Sequence, residues 1–270
     1  MGRALAESFA VSKAVFDEVD AALGEKLTDI MWNGPAETLT LTENAQPALM
    51  AVSIAALRAL ESEAGISVKN AKFVAGHSLG EYSALAAAGA LSITDTAKLL
   101  RARGRAMQKA VPVGVGAMAA LLGLDYDTAV EVAKEAAQGQ VCDPANDNGS
   151  GQVVVSGNKE AVDRAVEIAK VKGAKRAMLL PVSAPFHCRL MQPAADAMAE
   201  ALKGATINAP VVPLVSNVTT WADRHGVSVV LVHRAGSDKT TTQSRKDDRI
   251  LTALRIRLRT LRKRENACKR

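Results

Sequence analysis

A serine-centred turn between a predicted strand and a predicted helix limits the fold of this chain more than any other feature. Residues 76–80 read Gly-His-Ser-Leu-Gly, after the apolar segment 73–75 and before an alanine-rich helical stretch. In α/β proteins this pattern makes a sharp turn that exposes the serine hydroxyl at the top of a sheet. The pattern therefore predicts that Ser78 is a nucleophile and that the Leu79 backbone N–H points at the oxyanion of an attacked acyl group.

Length and composition favour a globular α/β protein. The chain has 270 residues, few aromatic residues, and many alanines and valines, which suit helices packed on a buried parallel sheet. Its three cysteines, at 142, 188 and 268, are scattered, odd in number and without metal-ligand spacing, so we expect no metal site, no disulfide framework and a reducing cytosol. No segment has the length of a membrane span or the pattern of a signal peptide, so we expect a cytoplasmic protein that does not enter a membrane.

The positive net charge of +6 is concentrated near the C-terminus. Residues 221–270 hold 14 of the 34 Lys and Arg residues and only 5 of the 28 Asp and Glu residues. The rest of the chain is slightly acidic. A binding protein whose basic tail contacts nucleic acid or an anionic membrane is therefore one alternative, although the main interpretation includes neither partner.

Hydrophobic spacing predicts two kinds of structural unit. Helices are expected over 3–23, 45–64, 79–88, 95–110 and 190–203, strands over 72–76 and 211–215, and loops over 25–46. Between them, residues 114–182 follow a β-α-β-β-α-β order, which is the ferredoxin-like order. The predicted fold class is α/β: a hydrolase-like large domain (1–113 and 183–220) with a parallel sheet, an inserted ferredoxin-like subdomain (114–182), and an atypical basic tail (221–270).

A serine nucleophile needs a base, and His187 is the candidate among four histidines. His77 adjoins Ser78 and is expected to shape the turn, while His225 and His233 fall in the basic tail. No acidic residue is an obvious third member, so a backbone carbonyl or an amide side chain could orient the imidazole.

Arg103 is a candidate carboxylate-binding residue, because a guanidinium can grip a carboxylate through two hydrogen bonds. It alternates with Arg101 and Arg105 in the predicted helix 95–110. The three arginines could equally be the solvated face of that helix.

Five segments together resemble the motifs of the malonyl-CoA:acyl carrier protein transacylase family. They are 76–82 (Gly-His-Ser-Leu-Gly-Glu-Tyr), 42–48 (Thr-Glu-Asn-Ala-Gln-Pro-Ala), 103–108 (Arg-Gly-Arg-Ala-Met-Gln), 183–187 (Ser-Ala-Pro-Phe-His) and 215–219 (Val-Ser-Asn-Val-Thr). The subdomain inserted between the arginine and histidine motifs also matches the family. The likeness covers about residues 1–220.

The resemblance implies a ping-pong transfer without a cofactor, in fatty acid or polyketide synthesis. Ser78, activated by His187, would attack malonyl-CoA, and the malonyl ester would pass to the phosphopantetheine thiol of acyl carrier protein. Arg103 would hold the malonyl carboxylate, and Gln46 and Asn217 would lie at the substrate. The family's histidine is oriented by a backbone carbonyl, which accounts for the missing acid. We expect a monomer.

Two departures from the family leave other interpretations open. The family begins with a strand and a Gly-Gln-Gly-Ser-Gln loop that supplies half of the oxyanion hole, whereas this sequence starts just past that point. Residues 221–270 resemble nothing in the family. We interpret the start as truncated and the tail as frameshifted or mis-assembled rather than as an authentic basic appendage. An inactive truncated homologue and a Ser-His thioesterase or other hydrolase are the alternatives.

Overall fold

The computed structural model describes residues 1–182 and 184–217. The basic tail 221–270 and the end of the 215–219 motif lie outside the described residues. Within the described part, no helix combines the length and the apolar character needed to cross a membrane.

The N-terminal region is a layer of five helices. They are α1 (Arg3–Ser8), α2 (Ala10–Leu23), α3 (Leu27–Asn33), α4 (Ala36–Thr40) and α5 (Thr42–Ala64). The single helix predicted over 3–23 is wrong, because the extended backbone of Phe9 (φ −132°, ψ 115°) separates α1 from α2. The loop predicted over 25–46 is also wrong. There the Asp20 carboxylate accepts hydrogen bonds from the Thr28 backbone N–H (3.1 Å) and hydroxyl (2.5 Å), which caps α3.

Helix α5 starts earlier than predicted and runs through Pro47. A proline has no N–H to donate to the carbonyl four residues before it, here the carbonyl of Glu43. The buried Arg101 guanidinium donates to that carbonyl at 2.9 Å and also contacts Asn44 and Glu25. Arg101 is therefore not a solvated helix residue: it supplies the hydrogen bond that the proline removes.

A short parallel sheet and three helices complete the first unit. Strand β1 (Val74–Ala75) leads into α6 (Leu79–Ala87) and α7 (Ile93–Ala110), and α10 (Gln192–Lys203) leads towards the last described strand (Leu214–Val215). That strand pairs with β1 in parallel, Val74 opposite Leu214. The α/β character and the parallel sheet are therefore confirmed, with shorter strands than the sequence predicts.

A four-stranded antiparallel sheet forms the second unit. Its elements are β2 (Gly116–Leu122), α8 (Tyr126–Ala137), β3 (Cys142–Asp147), β4 (Gln152–Asn158), α9 (Lys159–Val171) and β5 (Arg176–Leu179), and the parallel strand at 214–215 is accordingly β6. The strand order is β3-β4-β2-β5. Residues of both helices pack with residues of β2, β3 and β4 in one apolar core, which includes Leu121, Val132, Val153, Val155 and Val162.

The helical layer has a separate core. Phe16, Leu27, Met50, Ile54 and Leu100 are its largest buried side chains. The four-stranded unit lies between α7 and α10 along the chain. The start of its strand β2 contacts the segment that precedes α10, where the chain returns to the first unit. Gly116 at the start of β2 shows how close this contact is, because a Cβ there would lie 2.2 Å from Pro185 Cγ.

Candidate active site

Ser78 lies on a strained turn between β1 and α6. Its backbone has φ 54° and ψ −111°, a conformation that costs a non-glycine residue about 1–3 kcal/mol. The turn requires a glycine at position 76, because a Cβ there would lie 1.8 Å from the Gly80 carbonyl oxygen. A Cβ on Gly80 itself would meet nothing within 4 Å. The strand-turn-helix context predicted for the serine is therefore confirmed, and Gly76 is the glycine that makes it possible.

Leu79 is the first residue of α6. The N–H groups in the first turn of a helix have no intrahelical acceptor, and the helix dipole places positive potential there. The next two N–H groups close the turn, from Gly80 to the His77 carbonyl (2.9 Å) and from Glu81 to the Ser78 carbonyl (3.1 Å). The backbone N–H of Leu79, at the N-terminus of α6, therefore lies next to Ser78 in the chain.

Asn217 fastens the serine turn from the far end of the described chain. The Ser78 N–H donates to its Oδ1 at 2.6 Å, and its Nδ2 donates to the Gly76 carbonyl at 2.6 Å. The Glu81 carboxylate in turn accepts from the Asn217 backbone N–H at 3.0 Å and from the Ser216 hydroxyl at 2.8 Å. The family resemblance implies a substrate contact for Asn217; in the structure, both ends of its amide bind the backbone on either side of His77.

Arg103 reaches the serine hydroxyl. One terminal nitrogen donates to Ser78 Oγ at 3.0 Å and the other donates to Gln46 Oε1 at 2.6 Å. The guanidinium also lies 5.9 Å from the centre of the Tyr82 ring, which is within range of a cation–π contact. Burial lowers the pKa of Arg103 and raises the pKa of the Tyr82 hydroxyl, so the arginine cation sits in a poorly hydrated place beside a neutral phenol.

Gln46 is buried on α5, with only 3% of its surface exposed. Its Nε2 donates to the Thr42 hydroxyl at 2.8 Å and lies 3.5 Å from Met107 Sδ, while its Oε1 holds Arg103. Gly104 allows this approach of α7 to α5, because a Cβ there would lie 2.4 Å from the Glu43 Cα. Gln46 and Arg103, 57 positions apart in the chain, are therefore brought together by a close helix crossing.

His187 is itself exposed and lies near the serine turn, directly after the buried residues Ala184 and Pro185. Its ring centre is 6.5 Å from that of His77, and its backbone is left-handed (φ 60°), which is uncommon for a residue with a side chain. In addition, Asn146 Nδ2 of β3 lies 3.4 Å from His77 Nε2. The structure thus places the His187 ring beside His77 of the serine turn and adds Asn146, which no sequence pattern indicated.

The described residues include no group of three or more His, Cys, Asp or Glu side chains able to hold a metal ion. The two described cysteines also lack thiolate character. Burial raises the pKa of Cys142 to about 11 and raises that of Cys188, so both remain thiols at neutral pH.

A serine on a strained strand-to-helix turn, with a histidine near the turn and a partly buried arginine on the serine hydroxyl, defines an enzyme of the serine acyl-transfer class. The acyl transferase domain family matches residues 1–248 of the 270. The chain belongs to this family and is an acyltransferase.

Similar proteins narrow the family assignment. The malonyl CoA-acyl carrier protein transacylase of Escherichia coli K12 is 47% identical over 225 residues, which cover 83% of this chain and 72% of that protein. The acyl-carrier-protein S-malonyltransferase structure from Bartonella henselae has 60% identity and a TM-score of 0.78 over 81% of this chain and 70% of that one. A malonyl-transacylase solved in complex with a type II polyketide synthase acyl-carrier protein has 45% identity and a TM-score of 0.77, with the same coverage. The resemblance inferred from the five motifs is confirmed.

Proposed function

We propose that this protein transfers a malonyl group from malonyl-CoA to the phosphopantetheine thiol of an acyl carrier protein, through a malonyl ester on Ser78. One observation carries the proposal: the partly buried Arg103 guanidinium donates to Ser78 Oγ at 3.0 Å. A cation at this distance can bind the free carboxylate of a malonyl group whose thioester carbon lies at the serine. The names of the similar proteins support the same substrate and the same acceptor.

In the first half-reaction, His187 removes the proton of the Ser78 hydroxyl as Oγ attacks the thioester carbonyl carbon. The Leu79 N–H at the start of α6 donates to the oxyanion that forms. The carbon–sulfur bond then breaks, and the proton on His187 passes to the departing CoA sulfur. In the second half-reaction, His187 takes the proton of the carrier-protein thiol as the sulfur attacks the carbonyl carbon of the malonyl-serine ester. The ester carbon–oxygen bond then breaks, and His187 returns the proton to the departing Ser78 Oγ.

Arg103 selects the acyl group and Gln46 holds Arg103 in place. The carboxylate of a malonyl group would replace Ser78 Oγ as the acceptor of the arginine terminal nitrogen, while the 2.6 Å bond to Gln46 keeps the guanidinium plane fixed. Because the guanidinium is poorly hydrated, its attraction for a carboxylate is stronger than at a protein surface. An acetyl group cannot make this contact. Gln46 thus acts at the substrate through Arg103.

We also propose that the two units are the predicted domains: a hydrolase-like large domain (1–113 and 183–220) and a ferredoxin-like subdomain (114–182). The separate apolar cores and the β3-β4-β2-β5 strand order support this division. The active site then lies between them, with Ser78 and Arg103 on one side and Asn146 on the other. We expect a cytoplasmic monomer that needs no cofactor and binds neither nucleic acid nor a membrane.

Radiolabelled malonyl-CoA tests the proposal. We expect the wild-type chain to accumulate one malonyl group on Ser78 and to pass it to holo-acyl carrier protein. Ser78→Ala should abolish the label, and His187→Ala should slow its formation by at least about 10²-fold. Label that persists in Ser78→Ala, or steady hydrolysis of malonyl-CoA without carrier protein, would contradict the transfer mechanism and favour the hydrolase alternative.

A further inference from the structure

A carboxylate on the four-stranded sheet grips the chain just after His187. Asp143 of β3 accepts a hydrogen bond from the Arg189 backbone N–H at 2.9 Å. The Arg189 side chain adds Nε to both carboxylate oxygens at 3.1 Å and a terminal nitrogen to Oδ1 at 2.9 Å. One carboxylate thus fixes both the backbone and the side chain of a residue two positions from the proposed base. Nothing in the mechanism above uses this contact.

The segment that carries His187 needs such support. His187 is exposed and has a left-handed backbone conformation, which is unfavourable for a residue with a side chain. Contacts of the surrounding residues therefore have to stabilise this conformation. A local hydrogen bond from Cys188 Sγ to the Pro185 carbonyl (3.2 Å) closes the turn. The contact of Pro185 with Gly116 anchors its beginning to β2, and the Asp143 carboxylate anchors its end to β3.

The same strand also touches the nucleophile turn. Asn146, three residues after Asp143 on β3, lies 3.4 Å from the His77 ring beside Ser78. A single strand therefore contacts the histidine segment at one point and the serine turn at another. The three-residue spacing of Asp143 and Asn146 on β3 therefore sets the separation between the histidine segment and the serine turn.

We propose that Asp143 and Arg189 are positioning residues that set the place of His187 relative to Ser78. The proposal rests on the proposed function, because it assumes that His187 is the base. Proton transfer needs the base within hydrogen-bond reach of the hydroxyl, and a displacement of about 1 Å can cost up to about 10²-fold in rate. Asp143 and Arg189 touch neither Ser78 nor Arg103, so their loss should leave substrate binding intact.

Steady-state kinetics of three variants test the proposal. We expect Asp143→Ala to lower kcat about tenfold with KM within about twofold of the wild type. Asp143→Asn retains an oxygen for the Arg189 N–H and should recover part of the loss. Arg189→Ala keeps the backbone bond, should fold like the wild type because its side chain is exposed, and should lower kcat about threefold. Asp163→Ala removes a comparable exposed ion pair with Lys159 on α9 and should change nothing.

A background without the histidine separates positioning from a general structural effect. If Asp143 acts through His187, then Asp143→Ala should not lower the residual rate of His187→Ala any further. A further tenfold loss in that background, an increase in KM instead of a decrease in kcat, or an unchanged kcat in both Asp143→Ala and Arg189→Ala would overturn the proposal. If instead His187→Ala retains full activity, His187 is not the general base and the proposed mechanism is wrong, whatever the activities of the Asp143 variants.

Discussion

Replacement of Asn217 by alanine tests how the strained conformation of Ser78 is maintained. The change removes the acceptor of the Ser78 N–H and the donor to the Gly76 carbonyl, both at 2.6 Å. It leaves the Asn217 backbone bond to Glu81 in place, because that bond uses the main-chain N–H. The perturbation is therefore confined to the two bonds that clasp the serine turn.

The expected magnitude follows from these two bonds. Each contributes about 1 kcal/mol of net stabilisation, so the variant loses about 2 kcal/mol at the turn. The backbone conformation of Ser78 (φ 54°, ψ −111°) itself costs about 1–3 kcal/mol, which is the same size. Because 1.4 kcal/mol corresponds to a factor of ten, the productive conformation should become up to about 30-fold less populated, and kcat should fall by about that factor.

The assay is malonyl transfer to holo-acyl carrier protein over a range of malonyl-CoA concentrations, together with a thermal unfolding curve. We expect kcat to fall about 10–30-fold with little change in KM, and the melting temperature to fall by several degrees. A substrate-binding role, as the family resemblance implies for Asn217, would instead raise KM and leave kcat nearly intact.

Two results would refute this reasoning. If Asn217→Ala retains kcat within about twofold of the wild type, the serine turn does not depend on the amide. If Asn217→Asp, which keeps an acceptor for the Ser78 N–H but sets an oxygen against the Gly76 carbonyl, is as active as the wild type, the bond to Gly76 contributes nothing.

Four further substitutions test other parts of the structure. Gly76→Ala should lower activity more than about 10²-fold because its Cβ would lie 1.8 Å from the Gly80 oxygen, whereas Gly80→Ala, which meets nothing within 4 Å, should be close to wild type in the same transfer assay. Arg103→Ala should reduce kcat/KM for malonyl-CoA about 10²–10³-fold and kcat/KM for acetyl-CoA far less, because only the malonyl group has a carboxylate that binds Arg103. The two substrates are measured in parallel. Asp125 caps α8, and the bond from the Thr128 N–H lowers the pKa of its carboxyl. The stabilisation by this cap is therefore fully present above about pH 4 and declines as the pH falls through the lower folded-state pKa, so the loss of melting temperature caused by Asp125→Ala should be largest near pH 7 and should shrink as the pH falls below 4.

The parts of the fold that the sequence predicts well are those specified by neighbouring residues. The serine turn follows from an apolar strand, the required glycine at 76 and a helical stretch, and all three lie within 15 residues. Gly24 and Gly65 end helices α2 and α5 in left-handed conformations, as a helix-ending glycine should. Ser92 caps α7 by accepting a hydrogen bond from the Asp95 N–H at 2.9 Å, as a serine just before a helical segment should.

The predictions that were wrong concern elements that depend on contacts between residues distant in the chain. Pro35 and Asn44 are typical loop residues and favoured a loop over 25–46, and Pro47, which suits the first turn of a helix, placed the predicted start of α5 near residue 45. The observed start of α5 is stabilised by Arg101, which lies 58 positions away from the carbonyl it satisfies. Local propensity could not indicate this compensation, because it exists only once α7 has packed on α5.

The three alternating arginines of α7 show why their roles could not be separated from sequence. Residues 101 and 105 are four positions apart and lie on one face of the helix, while 103 lies on another. Gly104 brings α7 so close to the first turns of α5 that all three reach it: Arg101 binds the Glu43 carbonyl, Arg105 binds the Glu43 carboxylate at 3.0 Å, and Arg103 binds Gln46. Only the third also reaches Ser78, because the serine turn lies on that side of the crossing. The helix crossing, rather than the residue type, therefore makes one arginine structural, one a surface ion pair and one part of the candidate active site.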